Sequence, residues 1–406
     1  MMRKILFVAS LAFFLLILLS NNKVFGKEEI VNFNQHSSKG EISRFIQELK
    51  ANNYSVKYIE EINSLFIYNS DSDIGSKSII LKKYKKIIKS NGESIKVSTN
   101  SLLEKEFEDY NWFIRKIIGA DIGKKDYSSI KVGVIDSGID ANSLNIDAKN
   151  SKNFIDNNND IRDKTGHGTM VANMINTISP NARISVYKVI DKDQGDSSDI
   201  IEAIVEASKV NDIINISLGT YKDVNNVKDK QIIDLYDRAI KYANEHSTMI
   251  VTSAGNDGRN LLNNNNRHLP GGHPDVITVG STLKNDKVAN YSNFGENLDI
   301  VAPGGYFGED FDKNQNINVK DMIITKFPEY LEQNIVDKAL GLKKGYSLNY
   351  GTSLSTPQVT AALVRLKYEN PTLNTSEIEK KLYNNALDIE ENGKDYKSGY
   401  GLLKIK

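Results

Sequence analysis

From about residue 101 onward the chain alternates short apolar runs with longer stretches of helical periodicity, and this alternation constrains the fold most. Five apolar runs have the character of buried strands: 131–135, 184–189, 213–216, 249–252 and 276–279. Apolar residues at helical spacing fill 200–209 and 232–244 between them. This order predicts an α/β, doubly wound parallel sheet with helices on both faces. In such sheets, sites lie at the carboxyl ends of the strands.

The first 26 residues have the layout of a secretory signal peptide. Arg3 and Lys4 precede an apolar run at 5–19, and polar residues then lead to Gly26. The run is shorter than the roughly 20 residues that a spanning helix needs. We therefore expect cleavage near Gly26 and a secreted, extracellular protein without a stable membrane span in its mature form. An uncleaved membrane anchor is the alternative.

Residues 27–100 predict a separate α+β unit. A strand at 29–33 precedes a helix through Ile42 and Leu49, and two strand-like runs follow between Tyr54 and Tyr68. A second amphipathic stretch begins at Ile79 and ends at Asn91 and Gly92, before a last strand at 94–97. The order β-α-β-β-α-β is that of a ferredoxin-like fold. A small unit between a signal peptide and a larger domain suggests a propeptide.

Composition excludes several functions. Lys and Arg total 52 and Asp and Glu total 52, so the net charge of zero gives no electrostatic reason to expect nucleic acid as a partner. The chain has no cysteine, which excludes a disulfide framework, a thiol nucleophile and any Cys-ligated metal site.

Three glycine-flanked turns carry residues that could perform chemistry. Asp136 ends a buried strand at 134–138 (VIDSG), and His167 opens a helix at 166–169 (GHGT). Ser353, at 351–357 (GTSLSTP), lies just ahead of a helix whose Pro357 is tolerated only in the first turn. Each residue alone has an ordinary explanation as a cap, a buried polar group or a loop. Three such turns in one chain favour a site.

The three residue types fit nucleophilic catalysis. A serine hydroxyl needs an imidazole to remove its proton, and the imidazole needs a buried carboxylate to orient it. A donor for the oxyanion stabilises the transition state by roughly 3–4 kcal/mol. Asn256, in the segment 253–256 (SAGN) at the end of a strand, is the candidate, together with the backbone N–H of Ser353.

The four segments, in this order, resemble the subtilisin-like serine proteases (peptidase S8 family) from about Trp112 to Gly401. The resemblance implies a serine endopeptidase with Asp136, His167 and Ser353 as triad and Asn256 in the oxyanion hole. It also implies an inhibitor-like propeptide at 27–100 ahead of a peptidase domain at 101–406. The α/β-hydrolase motif Gly-x-Ser-x-Gly does not fit, because Ser355 stands where its last glycine would be. The order of the catalytic residues along the chain also differs from the orders in that family and in chymotrypsin-like enzymes.

Departures from the common subtilisin pattern resemble the lantibiotic leader-processing proteases of the nisin and epidermin type. Leu354 and Ser355 follow the nucleophile, Gln358 follows the proline, and a run of roughly 40 residues (306–346) precedes the serine. This implies a self-processing zymogen, cut between Ser90 and Glu106, that removes the leader from a modified peptide precursor. A general extracellular protease of broad specificity and a catalytically silent peptide-binding protein are the alternatives.

Substrate contacts follow from the same resemblance. Ser217, Leu218 and Gly219 match the edge that pairs with an extended substrate, and Asp257 matches a position in the first specificity pocket. An acid there would favour Lys or Arg at the cleaved bond. Asn256 and Asp257 could equally form only a turn.

No cofactor is required by this chemistry, and calcium is the one that the sequence offers. Asp156, Asp160 and Asp163 lie in a polar loop with oxygen ligands, although a solvated loop is the alternative. His268 and His273 lack a third ligand for zinc, and we expect a loop near the specificity pocket instead. We expect a monomer.

Overall fold

A computed structural model describes residues 29–34, 37–59, 64–68, 74–91, 110–119, 125–140, 144–191, 195–263 and 265–405. The helices are α1 (Lys39–Ala51), α2 (Ile74–Lys83), α3 (Trp112–Ile118), α4 (His167–Ile178), α5 (Ser197–Ser208), α6 (Val227–Glu245), α7 (Phe311–Asn314), α8 (Ile335–Leu340), α9 (Thr352–Glu369) and α10 (Thr375–Asn385). The strands are β1 (Glu29–Phe33), β2 (Ser55–Ile59), β3 (Ser64–Tyr68), β4 (Ile88–Asn91), β5 (Lys131–Asp136), β6 (Lys152–Asn153), β7 (Arg183–Lys188), β8 (Ile213–Ile216), β9 (Thr220–Asp223), β10 (Met249–Ser253), β11 (Leu262–Asn263), β12 (Asn266–Leu269), β13 (Ile277–Thr282), β14 (Ile300–Pro303), β15 (Ile323–Lys326) and β16 (Tyr346–Asn349).

The N-terminal elements form a small unit with its own core. Four antiparallel strands lie in the order β2-β3-β1-β4, with α1 and α2 in the β-α-β-β-α-β sequence that was predicted. Ser38 begins α1 in a reciprocal capping box with Glu41. Phe45 of α1 is fully buried among apolar residues of the sheet.

The end of this unit differs from the prediction. The second helix ends at Lys83 rather than at Asn91, and the closing strand is β4 (Ile88–Asn91). Pairing of β4 with β1 brings Ile88 opposite Phe33, and this long-range pairing outweighs the helical spacing of the local sequence. The strand predicted at 94–97 lies outside the described residues.

A seven-stranded parallel sheet organises the larger part of the chain. Its order is β14-β13-β10-β8-β5-β7-β6, and every adjacent pair is parallel. The five predicted strands are confirmed, four of them within one residue at each end, and the fifth, β13, runs three residues further than predicted. The two edge strands were not predicted, because β6 has only two residues and β14 has four and ends in a proline.

Helices cover both faces of this sheet, as predicted. Side chains alternate between the faces along β5, where Val132 and Val134 join the core under α4 and α9. Ile135 points to the opposite face, where α5 and α6 pack. Helix α9 is buried along most of its length, from Thr352 to Leu366. The nucleophile candidate therefore begins a central helix that packs on α4 and on the sheet.

The long segment before this helix is ordered and carries its own small core. It contains α7, α8 and the antiparallel hairpin of β15 and β16, and β16 ends at Asn349, four residues before Ser353. Tyr306 contacts Phe307, Phe311 and Tyr350 through ring edges or tilted faces. We refer to residues 306–346 as the insertion.

Candidate active site

Three elements bring the predicted catalytic side chains to one end of the parallel sheet. Asp136 is the last residue of β5, His167 is the first residue of α4, and Ser353 lies in the first turn of α9. Both helices pack on the same face of the sheet. The carboxyl end of a parallel strand and the starts of two helices thus meet where open α/β sheets carry their sites.

Asp136 and His167 form a close pair. Nδ1 of His167 lies 2.7 Å from Oδ1 of Asp136, and the carboxylate is fully buried. The same Oδ1 accepts the backbone N–H of Ser137 at 2.8 Å. A Cβ at residue 168 would lie 2.1 Å from the Gly138 carbonyl oxygen, so only glycine fits after His167. This geometry lets the carboxylate fix the imidazole and stabilise its protonated form.

Asp163 holds the loop that presents His167. Its Oδ1 accepts the backbone N–H groups of Thr165 and Gly166 and the hydroxyl of Ser137. Its Oδ2 accepts both the N–H and the hydroxyl of Thr169. These donors include free N–H groups at the start of α4, where a buried carboxylate is favourable.

Ser353 is held against Ser217, the residue that follows strand β8. Its hydroxyl donates to the carbonyl oxygen of Ser217 at 3.0 Å, and the Ser217 hydroxyl donates back to the Ser353 carbonyl at 3.0 Å. Gly351, with φ of +131°, makes the turn into the helix. The nucleophile candidate and the predicted substrate edge therefore contact each other directly.

Asn256 follows the end of β10 and faces the same turn. Its carboxamide oxygen accepts the backbone N–H and the hydroxyl of Thr352, each at 2.9 Å. A Cβ at residue 351 would lie 3.3 Å from Asn256 Nδ2. With its oxygen occupied, the amide presents Nδ2 as a donor beside Ser353, as an oxyanion hole requires.

With this geometry in place, sequence comparison decides the family. Residues 127–401 match the family model of the subtilases, peptidase S8. The chain belongs to the subtilase family. It is a serine protease of the subtilisin type, and the resemblance stated from the sequence is confirmed.

Relatives of this subtilase include proteases that process peptide precursors. The epidermin leader peptide-processing serine protease EpiP of Staphylococcus epidermidis is 27% identical over 417 residues, which cover 86% of each chain. A crystal structure of a lanthipeptide protease shares 33% identity and a TM-score of 0.68, covering 74% of this chain and 93% of that one. The nisin leader peptidase NisP from Lactococcus lactis shares 25% identity and a TM-score of 0.59, covering 73% and 92%.

The specificity region of the subtilase contains residues that the sequence did not reveal. Tyr221 lies on β9, two residues after Gly219, and the exposed side chain of Asp257 acts on its hydroxyl through its charge. Burial, and then the charge of Asp257, raises the pKa of Tyr221. Asn293 donates to the Tyr221 hydroxyl and to the Ala254 carbonyl, and accepts the N–H of Asp257. The only signal for Asn293 in the sequence is an asparagine followed by an aromatic residue and a glycine.

His268 lies against the backbone of Gly219 and Gly255, next to the segment predicted to pair with substrate. A Cβ at Gly219 would lie 2.6 Å from His268 Cε1, and a Cβ at Gly255 would lie 3.2 Å from His268 Nε2. Burial lowers the pKa of His268 to about 4, and its Nδ1 contacts the Gly271 carbonyl. His273 instead pairs with Asp237. His268 is thus a buried, neutral side chain packed against Gly219 and Gly255.

The predicted calcium ligands are not brought together. Asp163 is saturated by donors from its own loop and α4, Asp156 accepts from Asn153, and Asp160 accepts the N–H of Arg162. Across the described ranges, no three His, Asp or Glu side chains are grouped as a metal would require. The buried ammonium of Lys188 donates to the Arg162 carbonyl beside this loop. The three carboxylates therefore do not fit a calcium site.

The insertion packs against the loop that carries His167. A Cβ at Gly166 would lie 2.0 Å from the ring of Phe327, and Gly166 has a φ of +89°. The Tyr330 hydroxyl donates to the Asp163 carbonyl at 2.8 Å, and Arg162 lies over the Tyr330 ring.

Within the described part of the chain, no helix is both long and apolar enough to cross a bilayer.

Proposed function

We propose that this subtilase is a leader peptidase that removes the leader from a lantibiotic-type precursor peptide. The observation that carries the proposal is the similarity to the epidermin leader peptide-processing protease, which extends over 86% of both chains and so is not confined to the catalytic motifs. Two solved structures of similar fold are described as a lanthipeptide protease and a nisin leader peptidase.

In this proposal Ser353 is the nucleophile. Its hydroxyl attacks the scissile carbonyl while His167 accepts the proton, and Asp136 stabilises the resulting imidazolium. Asn256 Nδ2 and the Ser353 N–H donate to the oxyanion. The amine product leaves after His167 protonates it, and water then hydrolyses the acyl-enzyme.

The substrate backbone and the resting Ser353 hydroxyl would compete for one acceptor. The Ser353 hydroxyl donates to the Ser217 carbonyl at 3.0 Å. An extended substrate that pairs with residues 217–219 would present a backbone N–H to the same carbonyl. The arriving N–H would release the hydroxyl toward His167, so that activation accompanies correct docking.

The carboxylate of Asp257 is the basis for a preference for Lys or Arg at the cleaved bond. Asn293 fixes the loop that carries it, by accepting the N–H groups of Asp257 and Arg259. A positioned carboxylate at the rim of the pocket would form a charge-assisted hydrogen bond with a basic side chain. Leu218 and Gly219 would form the opposite wall.

We also propose that the chain is exported and made as a zymogen. Residues 1–26 would be the signal peptide, 27–100 the propeptide and 101–406 the peptidase domain, with self-cleavage between Ser90 and Glu106. The compact four-stranded unit with its own core supports a propeptide that folds as a unit. N-terminal sequencing of the mature enzyme tests the junction, and a start outside this window would refute it.

Cleavage of a precursor peptide, compared with casein, tests the leader-peptidase assignment. The purified enzyme and its Ser353→Ala variant are incubated with a modified precursor whose leader ends in arginine, and with casein. The proposal predicts one cut at the leader junction by the wild type alone, and intact casein. Extensive casein digestion would instead support a broad extracellular protease, and peptide binding without any cleavage would support a silent binding protein.

A further inference from the structure

The carbonyl of Ser353 lacks the hydrogen bond that a helix normally supplies. In α9 the carbonyl of residue 353 would accept the N–H of residue 357, but Pro357 has none. The Ser217 hydroxyl donates to this carbonyl instead, at 3.0 Å. The backbone of the nucleophile is therefore held by the side chain of Ser217, the residue after strand β8, rather than by its own helix.

Two further buried side chains fix the Ser217 hydroxyl. Nδ2 of Asn215, which lies in β8, donates to Ser217 Oγ at 3.0 Å. One helical turn beyond Pro357, the Thr360 hydroxyl donates to Asn215 Oδ1 at 2.8 Å. Asn215 and Thr360 are both fully buried. The chain of hydrogen bonds thus runs from the middle of α9 to its first turn through strand β8.

The direction of each donor in this chain is set by the one before it. Thr360 donates to the carboxamide oxygen, so the Asn215 amide must present its NH₂ group to Ser217. Ser217 Oγ is then an acceptor from Asn215, and its own proton is available for the Ser353 carbonyl. If the Asn215 amide turned over, Ser217 would donate to its oxygen and leave the Ser353 carbonyl without a donor.

We propose that Thr360 and Asn215 are positioning residues for the nucleophile. Through Ser217 they orient the peptide backbone of Ser353, which carries both the attacking hydroxyl and the N–H donated to the oxyanion. The carbonyl that accepts the Ser353 hydroxyl also belongs to Ser217, so one residue contacts both the hydroxyl and the carbonyl of Ser353. This inference rests on the proposed role of Ser353.

The test compares Thr360→Val with Thr360→Ser in the full-length secreted enzyme. Valine keeps the shape of the side chain and removes the donor, while serine keeps the donor. Because small misplacements of reacting groups cost up to about 10²-fold, we expect kcat of Thr360→Val to fall by about 10- to 100-fold. Thr360→Ser should keep kcat near the wild-type value. KM should stay within about twofold of the wild-type KM in both variants, because ground-state binding is unchanged.

Thr248→Val is the matched control for stability. Thr248 is also buried, and its hydroxyl donates to the Asn211 carbonyl at 2.9 Å, but it precedes β10 at the amino ends of the strands. We expect this variant to lower Tm without changing kcat per active site, measured by titration with an active-site acylating reagent. Thr360→Ala is made in parallel, in case valine prevents folding.

Three outcomes separate the claims. Wild-type kcat in Thr360→Val or Thr360→Ala, or a loss that Thr248→Val shares in proportion to its change in Tm, would overturn the positioning role. Full activity of Ser353→Ala would overturn the proposed nucleophile instead. A loss confined to the Thr360 variants without a donor, with an inactive Ser353→Ala, supports both.

Discussion

The Asn256 carboxamide oxygen accepts two hydrogen bonds from Thr352, one from the backbone N–H and one from the hydroxyl, each 2.9 Å long. Thr352 immediately precedes Ser353, so the residue that holds the Asn256 amide is the neighbour of the nucleophile in the same turn. This contact orients Asn256 before any substrate binds, which is the condition under which an oxyanion donor is most effective.

Removing the Asn256 donor should slow the chemical step. For Asn256→Leu we expect kcat to fall by about 10²- to 10³-fold, the loss measured for an oxyanion donor in subtilisin, with little change in KM. Thr352→Val retains the N–H contact and loses only the hydroxyl, so its kcat should fall less. Steady-state kinetics on one peptide substrate checks both variants. A loss of kcat in Thr352→Val that equals or exceeds the loss in Asn256→Leu would contradict the role of Asn256 as the oxyanion donor.

A methyl group at Gly166 should disturb the loop that presents His167. Gly166→Ala faces a φ of +89° and a contact with the Phe327 ring, and we expect it to lower the free energy of unfolding by more than about 1 kcal/mol. Phe327→Ala in the same chain removes the steric part but not the backbone strain. Thermal unfolding should therefore show partial recovery in the double variant relative to the sum of the single changes. Strict additivity would show that the two residues do not interact.

The sequence singles out Asp136, His167, Ser353 and Asn256 because each belongs to a short glycine-flanked turn whose backbone geometry is local. It did not predict Asn215, Thr360 or Asn293, whose roles depend on partners far along the chain. Thr360 bonds to Asn215 across 145 positions and Asn293 bonds to Tyr221 across 72. No local pattern records such pairings.

The carboxylates predicted as calcium ligands also depend on partners that the loop sequence does not show. Counting oxygen ligands in the loop around Asp163 ignores the donors that compete for them. Five of the six groups that donate to Asp163 lie at residues 165–169, around the start of α4, and the sixth is the Ser137 hydroxyl. The carboxylate thus serves the loop of the catalytic histidine.

Protonation of His268 should make the protein less stable in mild acid. Burial lowers the pKa of His268 to about 4 in the folded state, against an ordinary value of 6.5. As pH falls from 6.5 toward 4, the unfolded chain binds a proton that the folded chain does not, so stability present above pH 6.5 is lost, by up to about 3 kcal/mol. His268→Gln removes this contribution. Denaturant unfolding at pH 7.5 and 4.5 should show a smaller pH dependence of the free energy of unfolding in the variant than in the wild type. An unchanged pH dependence would refute the lowered pKa of His268 as its cause.

Neutralising Asp257 should reduce the preference for basic residues at the cleaved bond. For Asp257→Asn we expect kcat/KM on an arginine substrate to fall by about 10- to 100-fold, the value of one hydrogen bond to a charged group, while a leucine substrate is little affected. Asp234→Asn, at an exposed position on α6, is the matched control for loss of one negative charge. Equal effects of both variants, or of one variant on both substrates, would exclude Asp257 as the specificity residue.

Secretion of the wild type and of Ser353→Ala, with the mass of each product measured by spectrometry, tests the central claim most directly. If Ser353 is the nucleophile of a self-processing protease, the wild type loses the segment up to the 90–106 window and the variant keeps it. If both products have the same processed mass, another protease matures the chain, and the self-cleaving zymogen is contradicted.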